Sequence, residues 1–133
     1  MLTHLGLISL LVPDYDEALA YYVGVLGFVL REDTDLGQGK RWVRIAPSAA
    51  AETSLLLARA ATPAQVQQMG QQGGGRVWLF LHSDDFAADY ARLRARGVAF
   101  LEEPRQESYA AVVVFRDPYG NKWDLLGPPA ELT

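Results

Sequence analysis

Slid along itself by 70 positions, this chain lays Leu7–Glu32 without a gap on Val77–Glu102. The two segments, LISLLVPDYDEALAYYVGVLGFVLRE and VWLFLHSDDFAADYARLRARGVAFLE, each run from an apolar strand through an acidic turn and an amphipathic helix to a glycine and a second strand. Leu11/Leu81, Asp14/Asp84, Ala18/Ala88, Gly27/Gly97 and Glu32/Glu102 coincide. Identity is low, but agreement at turn, helix cap and helix-ending glycine is what two copies of one supersecondary unit require, because those positions carry the backbone constraints. The chain is thereby restricted to paired modules, and a duplicated module builds its functional site between its copies.

Each copy reads as βαβββ. In the first, His4–Val12 is a Leu/Ile/Val-rich strand stopped at Pro13-Asp14. Asp14 opens a helix with Glu17 three residues on, and Gly27 ends it. Strands follow at Phe28–Asp33, Arg41–Ala46 and Ser54–Ala58, the first two joined around Gly37-Gln38-Gly39. Thr62 and Pro63 mark the cap and first position of a short Gln-rich helix. Gly73-Gly74-Gly75 then leads to the second copy: strand Val77–His82, helix Asp84–Arg96, strands Val98–Leu101 and Ala110–Arg116, turn Asp117–Gly120, strand Lys122–Leu126 and a loose tail from Gly127 to Thr133. The expected fold is α+β, one domain over 1–133. Its modules of about 4–60 and 76–128, joined by a linker at 61–75, form a curved eight-stranded sheet assembly around a cleft with helices outside. Alternation places Leu7, Ser9 and Leu11 on the cleft side of the first strand and, by the repeat, Val77, Leu79 and Leu81 on that of the second; Trp78, Phe80 and Trp123 go to the helix-facing core.

Composition narrows the function classes. With 133 residues and 50% hydrophobic content the chain can bury a substantial core. Formal net charge is −4 with acidic and basic residues interspersed, so no basic stripe exists for a nucleic-acid backbone. The absence of cysteine removes disulfides, thiol catalysis and thiolate metal sites. The apolar N-terminal stretch is too short to span a bilayer and lacks a basic leader, which points to a cytoplasmic protein with no membrane partner.

The stretches DYDEALAYY, LGF and above all VVFRDPYGNKWDLL, together with GKRWVRIAP and GVAFLEEPR, carry a resemblance to the vicinal oxygen chelate superfamily of glyoxalases, bleomycin-binding proteins and extradiol dioxygenases. It spans roughly His4 to Pro128. In metal-using members, four inward residues from four strands hold a divalent cation. Carried over residue by residue, the first donor falls on Leu7, its repeat partner on Val77, the next on Leu55 or Leu56, and only the last on a carboxylate, Asp124. One carboxylate does not hold such an ion, so no cofactor is expected. A divalent metal stays open only through a rebuilt site in which a bulge or register shift turns His4 inward to join Asp124 and Glu103. In a regular strand the offset of three residues from Leu7 puts His4 on the opposite face.

Asp124 is the candidate catalytic residue. An apolar cleft wall would raise its pKa toward the acid/base range, whereas a structural ion pair with Arg44 or Arg105 would leave it inert. Trp42 and Arg44 share a strand face and suit an aromatic or anionic ligand, by stacking and bidentate hydrogen bonding; the alternative is a sheet or dimer contact. Glu103, Arg105 and Tyr109 occupy the connection where a cleft mouth would lie, and Pro104 stiffens it. His82-Ser83-Asp84 are consecutive, so they cannot form a catalytic triad and read as helix capping by Ser83 or Asp84.

Three function classes follow. The first is a glyoxalase/bleomycin-resistance-like protein that binds a small organic molecule in the cleft without the ancestral metal. The second is a glyoxalase-type lyase or isomerase, or a dioxygenase, with a rebuilt site or with Asp124 as acid/base. The third is an interaction module. The resemblance and the exposed sheet edges also imply a homodimer.

Overall fold

A computed structural model of the protein describes residues 1–129. The chain falls into two compact units, the first ending at Met69 and the second starting at Gly70, inside the stretch expected to link the modules. The first unit contains β1 (Leu7–Val12), α1 (Tyr15–Tyr22), β2 (Val29–Gly37), β3 (Lys40–Ala46), β4 (Ser54–Arg59) and α2 (Pro63–Gln68). Its sheet runs in the order β1-β4-β3-β2, with β1 parallel to β4 and the other pairs antiparallel. The second contains β5 (Val77–His82), α3 (Phe86–Ala95), β6 (Ala99–Phe100), β7 (Arg105–Gln106), β8 (Ala111–Arg116) and β9 (Lys122–Gly127). Its sheet runs β5-β9-β8-β6, with β7 also on β8 and β5 parallel to β9. The described residues thus hold nine strands rather than eight, because Arg105-Gln106 pairs with Val112 and Ala111. The fold class is α+β, as expected. Of the tail, Gly127 closes β9, and residues 130–133 lie outside the described residues. No helix among the described residues is long and apolar enough to cross a membrane.

In the first unit Tyr15, Ala18 and Tyr22, spaced three and four apart, form the buried stripe of α1. Leu10, Val12, Val43, Ile45, Leu55 and Leu57 are likewise buried on their strands. In the second unit Leu93, Val112, Val113 and Leu125 are buried with Phe115 and Trp123, which end a row of rings, Phe86, Tyr90, Phe100, Phe115 and Trp123, at centroid separations between 4.7 and 6.1 Å. At its edge Gly70, with φ +74°, lies so close to Tyr119 that an added Cβ would stand 1.8 Å from the carbonyl oxygen.

Two local departures from the repeat matter. The first is the start of α3. Asp14 caps α1, its Oδ2 accepting from the Glu17 N–H at 2.8 Å, but the equivalent cap of α3 is Asp85, which accepts from Ala88, and not Asp84 or Ser83. Ser83 instead accepts from the Asp85 N–H and donates to Asp89, tying the turn to the first helical turn. The first copy accommodates its extra residue after α1, where Gly24 and Leu26 reach back five residues to Leu19 and Tyr21, so Gly27 and Gly97 both keep positive φ.

The second departure is a bulge in β5. Val77 pairs with Lys122 and Leu79 with Trp123, so Trp78 is an extra residue. Beyond the bulge the faces are exchanged. Leu79 and Leu81 align with the buried Trp123 and Leu125, whereas Phe80 aligns with Asp124 and is 58% exposed. Phe80 is therefore not a core residue, and Leu79 and Leu81 do not share the face of Asp124. Trp123 is buried as expected, and no bulge interrupts β1 on β4.

Candidate functional site

The open face of the second sheet gathers the most suggestive set of groups. Asp124 sits on β9 opposite Phe80 of β5 on one side and Val114 of β8 on the other. Its Oδ1 is buried and has no hydrogen-bond partner among the described residues. Burial is the main cause that holds its carboxyl above the ordinary aspartate range; the Arg105 guanidinium works against that shift and Glu102 adds to it. Neither arginine considered as an ion-pair partner takes that role: Arg44 pairs with Glu32 at 2.9 Å, and Arg105 with Glu102 at 3.0 Å and Glu107 at 2.7 Å. The alternative of a structural ion pair is not met among the described residues, since other carboxylates engage both guanidinium groups.

A pocket of about 520 Å³ opens beside Asp124, with Phe80, His82, Tyr109 and Leu126 among its walls. Phe80 and Tyr109 are both more than half exposed. Such a pocket presents two aromatic surfaces beside a carboxylate whose Oδ1 is buried and unsatisfied, a combination suited to a planar apolar molecule with a hydrogen-bond donor. The bulge at Trp78 is what turns Phe80 toward Asp124, so the sequence repeat alone gave no sign of this juxtaposition.

The structure brings Tyr109 and Asp124 into this pocket. Glu103 lines a different one, with Tyr90 and Phe100, and Arg105 is held in its double ion pair on β7. Trp42 and Arg44 share the open face of the first sheet, in register with Thr34 and Glu32 of β2. Trp42 is 36% exposed. His4 precedes β1, is exposed and contacts the Thr3 hydroxyl at 3.1 Å.

The motif around DPYGNKWDLL has a second role. Asp117, 3% exposed, accepts from the backbone N–H groups of Tyr119 and Asn121, from Asn121 Nδ2 at 2.9 Å and from Trp123 Nε1 at 3.1 Å. A buried carboxylate with four donors locks the turn that leads into β9, and so positions Asp124 one residue beyond Trp123. Sequence reasoning also passed over Arg31. Its guanidinium donates to Ser54 Oγ at 2.9 Å and to the carbonyls of Ser48, Ala49 and Ala51, pinning the loop between β3 and β4.

The donor set does not fit the divalent metal that the resemblance implies. The residues that the resemblance puts at three of the donor positions, Leu7, Leu55 or Leu56, and Val77, have side chains with no lone pair to offer. Among the described residues no three His, Cys, Asp or Glu side chains come together as a metal-binding group.

The profile of the Glyoxalase/Bleomycin resistance protein/Dioxygenase superfamily matches residues 3–125. An uncharacterized protein of Shewanella frigidimarina (strain NCIMB 400) is 51% identical over 120 residues, which are 90% of this chain and 89% of that protein. Among solved structures, UcmS2 superposes with a TM-score of 0.81 at 30% identity, over 95% of this chain and 98% of its own. TnmS3, an antibiotic binding protein from Streptomyces sp. CB03234, does so with a TM-score of 0.77 at 35% identity, over 96% of this chain and 97% of its own. With the duplicated βαβββ units and the match over nearly its whole length, the chain belongs to the Glyoxalase/Bleomycin resistance protein/Dioxygenase superfamily.

Proposed function

We propose that this protein binds a small, planar organic molecule carrying a hydrogen-bond donor, without a metal ion. The ligand lies in the pocket beside β9, its ring against Phe80 and Tyr109 and its donor on Asp124. The observation that carries this reading is the buried, unpartnered Oδ1 of Asp124 beside two exposed aromatic rings. A carboxylate oxygen without a partner is costly, and a ligand N–H or O–H removes that cost while the rings supply apolar area. The leucines and valine at the former donor positions and the similarity to TnmS3 support the same reading. A donor that is also an ammonium gains from the formal net charge of −4, though long-range attraction of that size is mild.

A second reading has one observation of its own. The raised carboxyl of Asp124 is the property of a group that takes and returns a proton, so a metal-free isomerase or lyase using Asp124 as acid/base is the alternative. Turnover of the bound compound, followed by mass spectrometry, separates it from sequestration.

The test is calorimetric titration with three planar aromatic amines, daunorubicin, quinacrine and 1-naphthylmethylamine. The wild-type protein should bind at least one of them. Asp124→Asn and Phe80→Ala should each weaken that binding by about tenfold, equivalent to roughly 1.4 kcal/mol. Binding unchanged in both variants would move the ligand elsewhere and overturn the assignment.

A further inference from the structure

Another pocket, in the first unit, carries charge of the opposite sign to Asp124. It encloses about 390 Å³ at the end of the sheet where β1 and β4 finish and β3 begins. Leu11, Leu56, Ala58 and Trp42 give it apolar surface, and Lys40 and Arg59 stand at it as cations. Among the residues that line it, Lys40, Arg41 and Arg59 are cations and none is a carboxylate. Arg41 is consumed by Asp16 at 2.9 Å and Asp33 at 2.7 Å, which leaves those two carboxylates occupied as well. Asp35, the next acidic residue along β2, accepts from the Gly37 N–H of the hairpin. Neither Lys40 nor Arg59 has a carboxylate within ion-pair distance among the described residues.

The Arg59 guanidinium is nevertheless held. It lies 5.6 Å from the centroid of the Tyr15 ring, whose hydroxyl accepts from the Arg41 N–H at 3.2 Å and whose ring also carries Arg41 at 5.1 Å. Tyr15 is buried, so the surface on which Arg59 rests is fixed. Cation–π contact orients a guanidinium without using its N–H donors, which stay available for a ligand. Gln65 adds to the donor side: its Oε1 is engaged by the Ala61 N–H at 2.7 Å, so its amide NH₂ is the end left to donate. In an acidic protein this corner is a local concentration of cations and N–H donors over a floor of aliphatic and indole surface.

From this arrangement we infer that the pocket at Trp42, Lys40 and Arg59 binds an aromatic carboxylate or sulfonate, with the anionic group on Arg59 and Lys40 and the ring on Trp42 and Leu56. A small inorganic anion would use only the cations, and a neutral aromatic only the floor. The ligand class that uses both is an aromatic acid.

The probes are 1-naphthoate and its neutral counterpart 1-naphthylmethanol, titrated into the full chain by calorimetry and by tryptophan fluorescence. The expected result is saturable binding of 1-naphthoate that exceeds that of 1-naphthylmethanol and weakens with added salt. Arg59→Gln should weaken it by about fivefold, the larger value measured for partly exposed charge contacts, and Lys40→Gln by a smaller factor. Both side chains are exposed, so neither substitution threatens the fold. Arg76→Gln, an exposed arginine of the other unit, should leave the affinity unchanged and thereby separates a local site from general charge attraction. Equal affinity for the alcohol, no binding of the acid, or equal losses in Arg59→Gln and Arg76→Gln would each overturn the proposal. None of these results bears on Asp124, which the aromatic amines test separately.

Discussion

At the scale of single residues, two aspartates seven positions apart are put to opposite uses. Asp117 is buried and satisfied by four donors, so its charge serves the turn. Asp124 has a buried oxygen with no partner, and burial makes its ionised form less favourable in the folded protein than in the unfolded chain. The sign of the resulting pH dependence is fixed by that difference. A carboxyl whose folded pKa is raised binds its proton more tightly in the native state. The native state is therefore favoured while the group is protonated, and this advantage is lost as pH rises from the ordinary value of 3.8 through the raised folded value. Asp124→Asn removes that ionisation. Urea unfolding across this acidic window should show the variant gaining stability relative to the wild type as pH increases, with the difference constant above the folded pKa. A difference independent of pH would mean that Asp124 is solvated like an exposed carboxylate.

At the scale of elements, the sequence was most legible where backbone chemistry is specific and least where a single residue changes the count. The Asp14 cap, Pro63 at the start of α2, the Gly37–Gly39 hairpin and the helix-ending Gly97 stand where turn and cap rules place them, whereas α1 already ends at Tyr22 and Gly27 closes the turns that follow it. The face of β5 was not readable. Val77, Trp78, Leu79, Phe80 and Leu81 are all apolar, so no polar residue marks one side, and a one-residue bulge exchanges the two faces without any compositional sign. That bulge creates the Phe80/Asp124 pair, and the part of the candidate site hidden from sequence is therefore the aromatic wall rather than the carboxylate. The start of α3 was displaced for a related reason: Ser83, Asp84 and Asp85 are all competent caps, and only the hydrogen bonds choose. Replacing Asp85 by alanine should cost about 1 kcal/mol in chemical denaturation, the usual worth of an N-cap, whereas Asp84→Ala should fall within experimental error. A larger loss for Asp84 would return the cap to the position that the repeat implies.

For the whole molecule, family membership settles architecture and leaves chemistry to the site, since one fold of this kind carries many functions. Here the side chains around Asp124 support the proposed metal-free binding. The resemblance puts leucine and valine where metal-using members carry donors, and Asp124 shares its pocket with Phe80, Tyr109 and a single histidine, His82. On the proposed reading, ligand binding resides in these organic groups alone. It is tested most directly by titrating the three aromatic amines into protein purified without chelator, and again after chelator treatment, with bound metal counted by elemental analysis at each stage. The account predicts roughly micromolar binding of at least one amine, with the same affinity before and after treatment. Binding that disappears with a stoichiometric divalent ion and returns when the ion is restored would contradict it, and so would the failure of all three amines to bind.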